Sequence, residues 1–469
     1  MKILYVEDDV AAIAYLREAL PNATILTAES RDEAFRLIDE EFFDMAVCDL
    51  QIPSSKGFES AVRHGSAVVT RLAELLPGVP IVTFSSFETS EFLRELQSLG
   101  RREDYLGIGD EEAMVRSFDK GKFEVLVGFL STREVELNNL DGIDVKYGIN
   151  PRNLSAEAER IVRIYTRQKG CVIGSPKVLG GGHSGASIVR IDLTRSEGSS
   201  GGTVVARIDT VQAIENEHAL VQRYVAGTLP LGSFASVIKV ICAGAGKMGA
   251  IIYQVAPDAR PFWNLPLEDD SFSAAAVESI RDSLAIWSHD SPTEHWKIAD
   301  IRRVLISDER WHERALRCGL SDGQVDLIEA KSAYILRGTI HADLHCGNVL
   351  YGTSPILIDF ESVRIGPCSL DPVALELSYL FHPDSPIVDS DWPSVEQIES
   401  WDDLPIFLQN CPFPQYITAC RSWSTSVAKS DLDLYASVYA YLAQQSKFES
   451  SNEDRLRAMM RMVLRHISI

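Results

Sequence analysis

Asp343, Asn348 and Asp359 are the first residues whose types and spacing suggest chemistry. They lie in His341-Ala342-Asp343-Leu344-His345-Cys346-Gly347-Asn348-Val349-Leu350, followed by Ile356-Leu357-Ile358-Asp359-Phe360-Glu361. Phosphoryl transfer from ATP needs a carboxylate to orient an acceptor hydroxyl, and oxygen ligands to hold Mg²⁺ on the phosphates. Asp343 suits the first task; Asn348 and Asp359 suit the second. The short step from Asp343 to Asn348 lets one loop present both side chains to one pocket. The apolar run Ile356 to Ile358 reads as a strand that delivers Asp359 beside them. His345, inside the loop, reads as a packing or loop-stabilising residue, because Asp343 already fills the role of base.

The pattern H-x-D-x-x-x-x-N, then a strand and I-D-F-E, resembles the catalytic core of the aminoglycoside phosphotransferase and choline kinase-like enzymes, over roughly residues 171 to 440. The resemblance implies an α+β bilobal protein kinase-like fold that uses ATP and Mg²⁺, with Asp343 as catalytic base and Asn348 and Asp359 as metal ligands. Asp371, in Ser369-Leu370-Asp371-Pro372, matches a later aspartate that supports the catalytic loop. Upstream, the stretch Val178 to Val189 carries Gly180, Gly181, Gly182, Ser184 and Gly185. It looks like a nucleotide-covering loop, where glycines let backbone N–H groups approach phosphate oxygens. The next strand has Arg207 where such enzymes usually have lysine. Arg207 keeps the charge but is bulkier and planar, so it need not reproduce the same phosphate contact. Glu217 is the expected partner of Arg207, with Glu215 as the alternate. Tyr253-Gln254-Val255 follows an apolar strand and reads as the hinge, where backbone groups would meet adenine.

A second acidic set lies near the start of the chain. Residues 1 to about 130 alternate short apolar strands with amphipathic helices, the pattern of an α/β doubly wound parallel sheet. In such a sheet ligands collect at the carboxyl ends of the strands, which here carry Glu7, Asp8 and Asp9, then Asp49, then Ser85. Glu7, Asp8 and Asp49 suit a hard divalent cation such as Mg²⁺. V-E-D-D, D-L-Q-I-P from Asp49 and P-I-V-T-F-S-S ending near Ser86 resemble the response-regulator receiver family over essentially this whole region. The resemblance implies that Asp49 accepts a phosphoryl group from an upstream histidine kinase or other phosphodonor. It further implies that Glu7, Asp8, Asp49 and the Gln51 carbonyl bind Mg²⁺, and that Ser85 and a lysine act as the switch. Tyr105 to Ile108 holds no lysine, so Lys120 in Ser117-Phe118-Asp119-Lys120-Gly121 is the candidate, with Gly121 in place of the usual proline. A degenerate receiver that no longer takes phosphate is the alternative.

These readings divide the chain into a receiver at 1–130, a linker with one helix at 131–170, and a phosphotransferase-like domain at 171–469. The last has an N-terminal lobe over about 171–257 and a C-terminal lobe over about 258–469. Lys and Arg number 45 against 67 Asp and Glu, a formal net charge of −22 that repels nucleic acid and anionic membranes. Neither partner is expected. No apolar run reaches membrane length, and the eight cysteines lack C-x-x-C spacing, so a cytoplasmic protein with reduced thiols is expected. Between His382 and Tyr416 many acids occur with no lysine or arginine, Asp402 and Asp403 among them. They read either as solvated surface or, facing the pocket, as a field that favours a cationic small-molecule acceptor. Two functions remain open: an ATP-dependent phosphotransferase gated by Asp49, or a catalytically silent nucleotide-binding scaffold marked by Arg207. A homodimer through the receiver is compatible with both.

Overall fold

A computed structural model describes residues 1–86, 101–148, 154–181, 186–254, 259–388, 390–448 and 453–467. The chain forms two compact units. One is Met1–His218 with Val237–Val255, and the other is Ala219–Ser236 with Ala256–Ile469.

The first unit begins with a five-stranded parallel sheet. Its strands are β1 (Lys2–Val6), β2 (Thr24–Ala28), β3 (Met45–Cys48), β4 (Ile81–Ser85) and β5 (Val115–Asp119), in the order β2-β1-β3-β4-β5. That is the doubly wound order with its switch point between β1 and β3. Helices α1 (Val10–Ala19), α2 (Arg31–Glu40), α3 (Val62–Leu75) and α4 (Phe123–Asp141) join or follow the strands. Ile3, Leu4, Tyr5 and Val6 of β1 are all fully buried, because helices cover both faces of a parallel sheet. Gly65 in α3 lies against β3: a Cβ there would stand 2.4 Å from the Asp49 carbonyl oxygen, so only glycine lets the helix pack so close.

Next come α5 (Ala156–Gln168), the strands β6 (Ile173–Gly181), β7 (Ser187–Thr194) and β8 (Ser200–Thr210), helix α6 (Val211–Leu220), and strands β9 (Ser236–Ile241) and β10 (Met248–Gln254). The sheet order is β6-β7-β8-β10-β9, with Asp144–Val145 added beside β6. Residues 131–141 and 156–168 of the stretch expected as a linker with one helix are built into this structure. Residues 131–141 continue α4, whose Leu126, Leu130, Leu137 and Leu140 keep one apolar face buried. Ile161, Val162, Ile164 and Tyr165 of α5 share a single core with Val189, Ile191, Ala206 and Ile252 of the sheet. Asn138 and Asn139 interrupt the apolar periodicity in sequence, but they sit on the exposed face of α4, between Leu137 and Leu140 of this core.

The second unit contains helices α7 (Asp270–Ser288), α8 (Leu370–Phe381), α9 (Pro414–Val427), α10 (Asp431–Gln445) and α11 (Glu453–Ile467), and strands β11 (Ser332–Ile340), β12 (Val349–Tyr351) and β13 (Pro355–Leu357). Asp270 accepts the backbone N–H groups of Gln415 and Tyr416 at 2.8 Å each, tying the start of α7 to that of α9. Among the described residues no helix is long and apolar enough to cross a membrane.

Candidate functional site

In the parallel sheet the expected acids converge. β1 and β3 pair in register from Ile3↔Met45 to Val6↔Cys48, which places Glu7 and Asp49 side by side at the strand ends. Asp9 is diverted to cap α1 through the Ala11 N–H, leaving Glu7 and Asp8 as ligand candidates. Ligand oxygens of Glu7, Asp8 and Asp49 lie within 4.8 Å of one another, a donor set that fits Mg²⁺. Lys120 bridges two members of the cluster, its Nζ 2.6 Å from Asp49 Oδ2 and 2.7 Å from Glu7 Oε2. Burial lowers the lysine's proton affinity, but the hydrogen bonds and charges of Asp49 and Glu7 outweigh it, so its pKa is raised. Burial dominates at Glu7 and raises its pKa despite Lys120. Ser85, buried at the end of β4, pairs across from Asp119, the residue before Lys120. The backbone reaches Lys120 without the missing proline because Asp119 takes the Gly121 N–H at 2.8 Å and turns the chain.

In the antiparallel sheet, Arg207 lies on β8 between Ile188 of β7 and Ile251 of β10. Its Nη1 is 2.9 Å from Glu217 Oε2, and both side chains are almost fully buried. The Tyr253 hydroxyl donates to Glu217 Oε1 at 2.5 Å. Of the two candidate acids, Glu217 therefore meets Arg207, while Glu215 pairs with Arg101. Gln254 ends β10 with its side chain exposed, and Gly181 ends β6. Gly182, Ser184, Gly185 and Val255 lie outside the described residues.

In the second unit the loop His341 to Asn348 leaves β11 and is gripped from α8. Asp371 accepts the N–H groups of His341 at 2.8 Å and Ala342 at 2.9 Å. Ala342 has φ 63°, a conformation that costs an L residue of order 1–3 kcal/mol, and the paired grip of Asp371 holds it there. Burial raises the pKa of Asp371, with the two backbone hydrogen bonds opposing. Asn348 Nδ2 donates to the Asp343 carbonyl oxygen at 2.9 Å, which leaves Oδ1 as the atom able to ligate a cation. Ile358 N–H donates to the Asn348 carbonyl at 3.0 Å, and Val349 pairs with Leu357, so the following Asp359 lies next to Asn348 in the fold. Asp359 also has a positive φ, 63°. An amide oxygen and a carboxylate at adjoining backbone positions fit Mg²⁺.

Sequence reading missed the surroundings of Asp343. His345 Nδ1 accepts the Gly347 N–H at 3.0 Å, and Nε2 lies 3.8 Å from Asp343 Oδ2. The His345 ring stacks on His382 at 4.4 Å, and Trp263 lies against both. Lys447, exposed beside buried Phe448, feels the charge of Asp343 from about a hundred residues away, a separation at which no local motif forms. The acidic block is largely engaged: Asp402 meets His466 at 3.0 Å, Glu399 meets Arg461 at 2.7 Å, and Asp403 caps a helical turn through the Ile406 N–H. Helix α11, rich in Arg and His, supplies the cations absent from the block itself.

His382 provides a pH-dependent marker of this region. Burial, then the neighbouring His345, pulls its pKa down to about 3, and its Nδ1 accepts the Asp384 N–H, as a neutral ring does. The unfolded chain binds this proton near the ordinary histidine value and the folded chain does not. The stability this group contributes is therefore complete above about pH 6.5 and is lost as pH falls toward 3. Denaturation at pH 7 and pH 5 is expected to show wild type losing about 2 kcal/mol more than His382→Phe.

A model of the phosphotransferase enzyme family matches residues 149–392, just over half of the chain. Among solved structures, a thermostable mutant of aminoglycoside phosphotransferase APH(4)-Ia, in a ternary complex with AMP-PNP and hygromycin B, is 12% identical. The match covers 61% of this chain and 93% of that one, with a TM-score of 0.38. Aminoglycoside-3'-phosphotransferase of type VIII is 17% identical over 61% of this chain and 99% of its own, with a TM-score of 0.36. A CheY-like response regulator receiver domain protein from Methanospirillum hungatei JF-1 is 18% identical over 29% of this chain and 97% of its own, with a TM-score of 0.22. No curated protein matches the chain.

Proposed function

Because the chain belongs to the phosphotransferase enzyme family, we propose that it transfers the γ-phosphoryl group of ATP to a hydroxyl of a small molecule, at a rate set by phosphorylation of Asp49. The observation that carries this reading is the loop from His341 to Asn348, held in a strained conformation by buried Asp371 so that Asp343 and Asn348 keep one arrangement. Preorganisation of that kind is what phosphoryl transfer asks of a protein, since positioning and electrostatics do most of the work. Asp343 orients the acceptor hydroxyl and takes its proton as the oxygen attacks. Asn348 Oδ1 and Asp359 would hold Mg²⁺, which when bound neutralises charge on the phosphates. Arg207, fixed by Glu217, would be the cation that meets the α- and β-phosphates.

In the receiver, Asp49 would take a phosphoryl group from a histidine kinase or small phosphodonor with Mg²⁺ on Glu7 and Asp8, and Lys120 and Ser85 would meet the added oxygens. The acceptor is a small molecule. A preference for cations would rest on Asp391, because Asp402, Asp403 and Glu399 already have partners and Asp384 Oδ2 lies 3.8 Å from His382 Nδ1. One observation favours a second reading, a nucleotide-binding scaffold without catalysis: the Arg207 guanidinium is buried and shared between Glu217 and Asp209.

Unfolding with and without Mg·ATP separates the two. Nucleotide at a hundred times its Kd should stabilise the chain by about 2.7 kcal/mol. No stabilisation would remove nucleotide binding and both readings with it. Stabilisation without turnover across a panel of amino sugars, amino alcohols and polyols would leave the scaffold.

A further inference from the structure

Arg101 belongs to the receiver half of the first unit, yet its side chain is spent on three separate segments. Nη1 forms an ion pair with Glu215 of α6. Nη2 donates to the Pro77 carbonyl, between α3 and β4, and to the Cys242 carbonyl, just past β9, at 2.9 Å each. Glu215 stands two residues before Glu217, and positions i and i+2 of a helix face different ways. Helix α6 is thus held from one side by Arg207 and Tyr253 through Glu217, and from another by Arg101 through Glu215.

The backbone of Arg101 leads back to the receiver strands. Met114 N–H donates to the Arg101 carbonyl at 3.1 Å, and Ile81 N–H donates to the Met114 carbonyl at 2.7 Å. Arg101 is therefore tied to the starting ends of β4 and β5, whose far ends carry Ser85 and Lys120. The surroundings are stiff. Tyr105, Leu106 and Met114 share one apolar core with Ile164, Ile191 and Ile252. Gly244, at φ 89°, donates its N–H to the Gly78 carbonyl at 2.8 Å, and a Cβ on it would fall 2.2 Å from the Tyr105 carbonyl oxygen. Arg160 bridges Asp44 at 3.0 Å and Asp141 at 3.3 Å. Close-packed junctions of this kind pass on small displacements because they cannot absorb them.

We propose that Arg101 is the positioning residue through which the receiver sets the helix that carries Glu217, a proposal that rests on the function read above. Lys120 now spans Asp49 and Glu7; charge added at Asp49 redraws its partners, shifts β4 and β5 against the junction, and moves α6 through Arg101. The Arg101–Glu215 pair is partly exposed and adds little net stability, so its effect is on where α6 sits.

Hydrogen exchange on the full chain tests this, with Mg²⁺ and fluoroberyllate as the phosphoryl mimic. In wild type, fluoroberyllate should change amide exchange at β4, β5 and α6 by about five-fold or more. Arg101→Ala, and independently the milder Glu215→Gln, should keep the change at β4 and β5 and lose it over α6. An α6 response that survives in both variants overturns the proposal. So does an α6 that stays silent in wild type while β4 and β5 respond, a result that leaves both halves of the functional reading standing. If the receiver strands fail to respond as well, the receiver reading falls and the proposal with it. The phosphotransferase reading is judged separately by Mg·ATP stabilisation.

Discussion

Asp343→Asn is expected to lower phosphoryl transfer by roughly 10²- to 10⁴-fold in kcat, the usual cost of removing a positioned base. Stabilisation by Mg·ATP should stay near the wild-type value. The asparagine keeps the volume of the side chain, and the Asn348 Nδ2 bond goes to the Asp343 backbone carbonyl, which the substitution does not touch. The loop should therefore hold its shape through Asp371 while the acceptor's proton loses its destination. Single-turnover measurement isolates the chemical step from release. A variant within about three-fold of wild type would show that Asp343 is not the base. The expectation concerns rate and leaves affinity aside, so it is independent of which acceptor is finally identified.

Glu217→Leu is expected to destabilise the first unit by about 3–5 kcal/mol, because it leaves the Arg207 guanidinium buried without its main counter-charge. The Tyr253 hydroxyl loses its acceptor at the same time. Adding Arg207→Met to Glu217→Leu should recover most of that loss, since an apolar pair of similar volume often replaces a buried ion pair at little cost. Chemical denaturation of both variants measures the coupling directly. Equal destabilisation in the single and double variants would mean that Glu217 acts through Tyr253 and packing, and that Arg207 is indifferent to it. Whatever the stability outcome, both variants should lose Mg·ATP stabilisation if Arg207 meets the phosphates.

How far the chain could be read depends on how local each signal is. Asp343, Asn348 and Asp359 were legible because one short loop and one hairpin carry them, and the backbone bonds among Asn348, Ile358 and Val349 are short-range contacts. The strands of the parallel sheet were legible because burial on both faces leaves unbroken runs such as Ile3 to Val6. Lys120 stood out only as the nearest lysine at the end of a strand. Its place between Asp49 and Glu7 needed the pairing of β4 with β5, which no spacing rule supplies. The helix over residues 131–141 is hard to read for a related reason: polar Asn138 and Asn139 interrupt a periodic pattern, although Leu137 and Leu140 beside them continue it into the core.

The sequence by itself determined that a carboxylate and two further oxygen donors, Asp343, Asn348 and Asp359, would stand on one loop and the hairpin after it, because short spacing fixes what lies close along the chain. It also determined that there would be a doubly wound parallel sheet with acids at its strand ends. Only the tertiary structure decided which acid meets Arg207, what Glu215 is for, and that Asp402 and Glu399 would meet His466 and Arg461 on a helix some sixty residues further on. Those choices are made by packing. A side chain's partner across a core depends on how whole elements dock, and docking is set by the summed burial of many residues, none of which records the outcome alone.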